Sequence, residues 1–558
     1  MYIQCVMKEK ITVSTFGDYK SYKKYAPQYA EWKDTRDLAD AKRQEYLRQN
    51  PSAINQDDIK KSKALLRAID VMDEYSQKRA EDTEVATEEI IGWGVSIAMA
   101  LGAGLGLLFK NNKGILKLSS KFTKDEKALP EVAKLVSGGI GGILGLTAAS
   151  FPLYSWAAKA ETKASRKGRF EAMNKELKDP KIFATLNDEQ EKKLNENLEI
   201  LKGIKEEKDY FKGLKESWGS VKGIVVDSKE YLEQKTNFEI DLIRDKKHFD
   251  KELTPEEIED AKHDQQLLTK LVEKIDIASQ DYAENAELAT SALITGTFAF
   301  STLFSLLYEK VAKSLNLQKT SVPAVLSGLL MFGASIWGAS VQKEAARVGR
   351  FKAKQELMNN PERLVYVPDE KTGEIKDIQI SNEKKGFFKF MKEAWKNSKE
   401  YDKWKKNEGA QEKKLSKALE NIELTDEQLK EAKRLQYNTF KTFNKVDEKS
   451  QKYAESIEAL GQSIQAPLVQ LLSLIGIGVG SKFLVKGLKS KIPAEKTIGF
   501  IKYFMTVLGF TLPSIAINAY ITKEQKKASR VANMLAIDEM QDYRNFADYS
   551  KYKISANY

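Results

Sequence analysis

The chain has 558 residues, 42% of them hydrophobic, and its 91 Lys and Arg against 80 Asp and Glu leave a formal charge of +11, enough material for a large core. The two signs are interleaved throughout, which favours solvated helices and basic membrane flanks over a nucleic-acid surface, and no RNA- or DNA-module signature is present. One cysteine, Cys5, excludes an internal disulfide framework and a cysteine metal cluster, and the two histidines, His248 and His263, lack metal-ligand spacing and are expected on exposed helix faces.

In chain order, the first 80 residues are polar and carry no signal-peptide pattern, so the first apolar segment is expected to act as the targeting signal. From Ile54 the phrase INQDDIKKSK reads as a helix start, with Asn55 at the N-cap and acids in the first turn. MDEYSQKRAE follows from Met72, and Glu81 and Glu84 lead into an uncharged stretch from Ile90 to Phe109. A helix rises about 1.5 Å per residue, so about 20 such residues cover the roughly 30 Å hydrocarbon layer. A loop with Lys110, Lys113, Lys117 and Lys121 joins it to a second uncharged stretch, Leu135 to Ala158, and KASRKGRFEAMNKEL then starts at Lys163.

The same order recurs twice. LTPEEIEDAK from Leu253 and LTDEQLKEAK from Leu424 repeat the helix start, with Thr254 and Thr425 as caps, and IDIASQDYAE from Ile275 and VDEKSQKYAE from Val446 repeat the next phrase. Uncharged stretches follow at Leu288–Tyr308 and Thr320–Gln342, then at Ala459–Ser481 and Tyr503–Thr522, and the basic phrases return as KEAARVGRFKAKQEL from Lys343 and KKASRVANMLAIDEM from Lys526. This predicts an all-α polytopic membrane protein of three tandem repeats, residues 1–181, 182–361 and 362–558, each with long amphipathic helices and a two-span hairpin. The period of about 180 residues is far longer than a solenoid unit of 20–50 residues. Between the hairpins, Asn187–Lys222 and Gln411–Val446 have helical periodicity, while Val365–Ile380 reads as a small β-hairpin around a Lys-Thr-Gly turn.

Two constellations stand out, and a third is conspicuous by its absence. Gly102 and Gly106, Gly138 and Gly142, and Gly476 and Gly480 have the four-residue spacing that lets helices approach closely in lipid; packing within a hairpin accounts for them plainly, a gate or homo-oligomer contact functionally. Paired acids precede each odd span: Glu81 and Glu84, Glu284 and Glu287, Glu455 and Glu458. At that face Arg166, Arg347 and Arg530 lie ten residues beyond Trp156, Trp337 and Tyr520, ordinary interfacial anchoring, with ion pairs inside each hairpin expected at no more than about 1 kcal/mol each. Around a pseudo-threefold axis the six acids would instead form a cation-attracting vestibule. No ionisable residue stands at mid-span, and no catalytic triad, zinc spacing or phosphate loop appears, so neither enzyme nor cofactor is expected.

Three two-span repeats also form the plan of the mitochondrial carriers, to which the chain is not similar at the residues. The ends of the odd spans read LLFKNNKG, LLYEKVAK and GSKFLVKG and lack the carriers' Pro-x-Asp/Glu-x-x-Lys/Arg phrase. The expected function is a scaffold or tether in the inner or plasma membrane, with both termini and a large helical assembly in the cytoplasm and partners in lipid, in a second copy or in other proteins. The alternatives are a channel or facilitator and a latent pore-former.

Overall fold

The computed structural model describes residues 20–120, 126–127, 129–174, 177–202, 253–314, 345–375, 392–393, 396–401, 403, 412–489 and 492–547. The described residues are helical or in turns, and no strand occurs among them. The helices are α1 (Gln28–Gln49), α2 (Gln56–Leu108), α3 (Lys113–Ser119), α4 (Leu129–Asn174), α5 (Asp188–Lys202), α6 (Pro255–Ser314), α7 (345–359), α8 (Glu412–Glu420), α9 (Asp426–Lys489) and α10 (Pro493–Glu539).

The three longest helices begin at the three repeated start phrases, and the reason is visible at each cap. The Asn55 side chain accepts from the Asp57 N–H at 3.0 Å. Thr254 and Glu257 form a reciprocal capping box, with Thr254 N to Glu257 Oε2 at 2.9 Å and Glu257 N to Thr254 Oγ1 at 3.2 Å; Thr425 and Gln428 do the same at 3.0 and 3.2 Å. From these starts α2, α6 and α9 run unbroken for 53, 60 and 64 residues into the uncharged stretches.

Each outgoing helix packs against a returning one, α2 with α4 and α9 with α10, while α7 returns along α6, where Ser279 Oγ donates to the Ala346 carbonyl at 2.8 Å. The return helices also reach across: α4 lies on α9, α10 lies on α6, and α7 meets α2 through Arg350 and Lys354. The pairs thus close a ring in the order first, third, second. Its centre is the main hydrophobic core, where Leu65, Ile69 and Met72 of α2, Leu268, Val272 and Ile275 of α6, and Phe443 and Val446 of α9 are fully buried beside Ala172, Ala353 and Ala536 of the return helices. Burial of one such large side chain contributes roughly 1.5–3 kcal/mol.

Two sequence expectations are corrected. The described part of the expected β-hairpin at 365–380 pairs with no strand: Val365 and Val367 are buried against Leu47, Val367 exchanges both backbone hydrogen bonds with the Gln266 side chain (2.9 and 3.0 Å), and Asp369–Thr372 is a single helical turn begun by Pro368. Residues 376–380 lie outside the described residues. Within Gln411–Val446, α8 and the start of α9 are separated at the Thr425 cap, where the repeated phrase announces a helix start. His263 is largely buried rather than on an exposed face; His248 and residues 203–222 lie outside the described residues.

Among the described residues, no helix is long and apolar enough to cross a membrane. Much of the six uncharged stretches, including all of Thr320–Gln342, falls outside the described side chains.

Candidate functional site

Where the three pairs converge lies a buried layer of charge. Asp73, Asp276 and Asp447 are the second residues of the three repeated phrases, so their helices carry them at equivalent positions, and all three are buried. The return helices carry Arg169, Arg350 and Asn533 at one shared position of the basic phrases, three residues after Arg166, Arg347 and Arg530. Arg350 spans two pairs, with Nη1 2.6 Å from Asp73 Oδ1 and Nη2 2.6 Å from Asp276 Oδ1. Arg169 of α4 donates to Asp447 of α9, and Lys354 of α7 pairs with Asp70 and, at 3.4 Å, with Asp73. The third position is Asn533, buried and uncharged, with its Oδ1 lacking a hydrogen-bond partner.

The cations decide the protonation states. Burial raises the Asp73 carboxyl, but Arg350, Lys354 and Arg169 outweigh it and hold Asp73 below the ordinary carboxylate value. At Asp447 burial wins over Arg169, and with the neighbouring Asp276 charge it keeps that carboxyl above the ordinary value. Burial would weaken Arg350 as a base, yet Asp276, Asp73 and Asp447 together hold its proton more firmly than usual. This is an internal ion-pair network, whose best-attested use is to fix register between elements.

A second polar junction ties the three outgoing helices near their starts. His263 Nε2 of α6 lies 2.7 Å from Asp58 Oδ1 of α2, and its Nδ1 lies 3.6 Å from Asp264 Oδ1, an ion-pair contact longer than a hydrogen bond. Asp264 receives Arg434 of α9 at 3.1 Å and the Asn438 amide at 2.9 Å, while the Tyr366 N–H donates to Asp58 Oδ2 at 3.0 Å. Burial pushes the imidazole down, but Asp264 and Asp58 outweigh it and hold His263 above its ordinary value. Beneath α1, burial pushes the Lys270 ammonium down to about 8 despite Asp40 at 3.3 Å.

Arg166, Arg347 and Arg530 are buried, and Arg530 reaches Asp281 of α6 at 2.6 Å, across the boundary between pairs, with Tyr29 beneath its guanidinium. Glu455 and Glu458 are half-buried and partnered; the side chains of Glu81, Glu84, Glu284 and Glu287 lie outside the described residues. Trp156 is half-buried, Tyr520 is exposed and accepts from Lys23 Nζ at 3.1 Å, and Trp337 lies outside the described residues.

The glycines of the first hairpin meet face to face. A Cβ on Gly102 would fall 2.2 Å from the Gly141 carbonyl oxygen, one on Gly106 2.2 Å from that of Ser137, and one on Gly145 2.2 Å from that of Ala98. Gly138 faces Leu107 of α2, and Gly142 is buried. The surroundings of Gly476 and Gly480 on α9 lie outside the described residues.

The three aspartates were missed in the sequence because acids are common in this chain; the signal was there, an Asp at the second place of all three copies of one phrase. The chain matches no family model, no curated protein and no solved structure.

Proposed function

We propose that the chain is a non-enzymatic integral membrane protein of three tandem repeats, whose hairpins anchor a rigid helical assembly that acts as a scaffold or tether at the inner or plasma membrane. The observation that carries this reading is an inverted distribution of side chains along the long helices. At the charged end, Asp, Arg and Lys are buried; at the other end of α2, Ile97, Leu101, Leu105 and Leu108 are 55, 64, 61 and 75% exposed and form one stripe at helical spacing. Ile140 and Leu144 of α4 and Ile498, Ile501 and Met505 of α10 are exposed in the same way. Water would penalise such a surface, whereas acyl chains cover it without cost.

The charge layer supports a scaffold over a channel. A cation moving along the centre of the ring would have to pass Arg169, Arg350 and Lys354, already paired with the three aspartates. The same layer suits a tether, because ion pairs shared between repeats hold the three pairs in one register under load. We place the large segments in the cytoplasm, where segments so rich in charge need no export.

Carbonate extraction and flotation test the reading directly: retention of the full chain with membranes is expected, and its release into the supernatant would favour the latent pore-former. Purified protein that conducts ions in a planar bilayer would overturn the scaffold in favour of a channel.

A further inference from the structure

We infer that the tip of the first hairpin is a docking element for anionic phospholipid headgroups in the leaflet opposite the helical assembly, an inference that rests on the membrane reading above. α2 ends at Leu108, and the chain turns through Phe109–Asn112 into α3, whose first turn is capped by the Asn112 side chain accepting from the Gly114 N–H at 2.8 Å. α3 then packs on α4, so the tip is held against the hairpin rather than projecting from it. Lys113 and Lys117 are four residues apart and share one face of α3, with Lys110 just ahead of them.

No acid occurs between Lys110 and Ser120, and none of the three lysines forms an ion pair among the described residues. Beside them Leu108, Phe109 and Leu118 are 75, 62 and 36% exposed. Ammonium groups with no acid partner among the described residues, close in the chain to exposed leucine and phenylalanine side chains, suit an interface: the apolar groups enter the acyl boundary while the long lysine stems carry their charge to the phosphates. Phosphatidylcholine supplies the apolar half of this match; an anionic lipid supplies both.

The test uses the full chain with Cys5→Ser and Asn111→Cys, labelled with an environment-sensitive fluorophore and reconstituted in phosphatidylcholine vesicles with or without phosphatidylglycerol. Each lysine near an anionic surface favours docking about fivefold, so the docked-to-undocked ratio should rise about a hundredfold with phosphatidylglycerol, read as a blue shift and protection from iodide. High salt should reverse the effect. Changing Lys110, Lys113 and Lys117 together to Gln should abolish it, and changing them to Arg should preserve it. Equal protection in both vesicles, full protection in the Gln variant, or the same shift from inorganic phosphate added to phosphatidylcholine vesicles would overturn the inference. Carbonate release from both vesicles would instead sink the membrane reading itself.

Discussion

Arg350→Met is the sharpest probe of the charge layer. The guanidinium lies 2.6 Å from both Asp73 and Asp276, both aspartates are buried and Arg350 is largely so, and its loss strands two carboxylates in low dielectric. Removing one partner of a buried pair costs about 3–5 kcal/mol; Lys354, 3.4 Å from Asp73, keeps the cost from doubling. The pH dependence has a definite sign. Asp73 is held below its ordinary value, so its contribution is present above the unfolded carboxylate value and is lost as pH falls through the folded one. The deficit of the variant should therefore be large at neutral pH and shrink toward acid. Urea unfolding of the detergent-solubilised chain, followed by circular dichroism at neutral and acid pH, measures both. Adding Asp73→Asn and Asp276→Asn to Arg350→Met should restore at least half of the loss. A neutral-pH cost below about 1 kcal/mol, or a deficit that does not change in acid, would refute the reasoning.

Three further outcomes are expected. Gly102→Ala should destabilise the first hairpin by about 1–3 kcal/mol, because the added carbon meets the Gly141 carbonyl, while Gly104→Ala, with nothing within 4 Å, should be neutral or better; thermal melts of the two variants compare them. His263 is held above its ordinary value, so its contribution is full below the unfolded value and lost as pH rises through the folded one; His263→Gln should flatten the urea midpoint across that window, and a slope that survives the substitution counts against the junction. Thr254→Ala and Thr425→Ala should each cost about 1 kcal/mol by removing a capping box, measured as a shift in the same unfolding curve.

What the sequence made legible was local. Asn55, Thr254 and Thr425 announce the long helices because a cap acts on its own first turn, and the Gly102 and Gly106 spacing announces a close approach because the motif lies on one helix. What it concealed depends on partners far away in the chain. The Val-Tyr-Val run has the side chains of a strand, yet its backbone bonds go to Gln266 and to Asp58, 101 and 308 residues distant. His263 looked like a surface residue because its partner Asp58 lies 205 residues earlier. Asp73 and Asp447 of the charge layer acquire meaning only when Arg350 and Arg169 arrive from other repeats, which periodicity within one helix does not encode.

The ring's closure also dictates an order of events during synthesis. Leu65 and Ile69 share one core with Ala536, Ile537 and Phe546, so the centre stays open until the return helix of the third hairpin has been made. The hairpins can form one at a time as they emerge, but Arg169 waits for Asp447 of α9 and the apolar centre waits for α10. A ribosome that stalls after the second hairpin leaves a greasy, charged, unfinished bowl, the kind of intermediate that chaperones and proteases compete for.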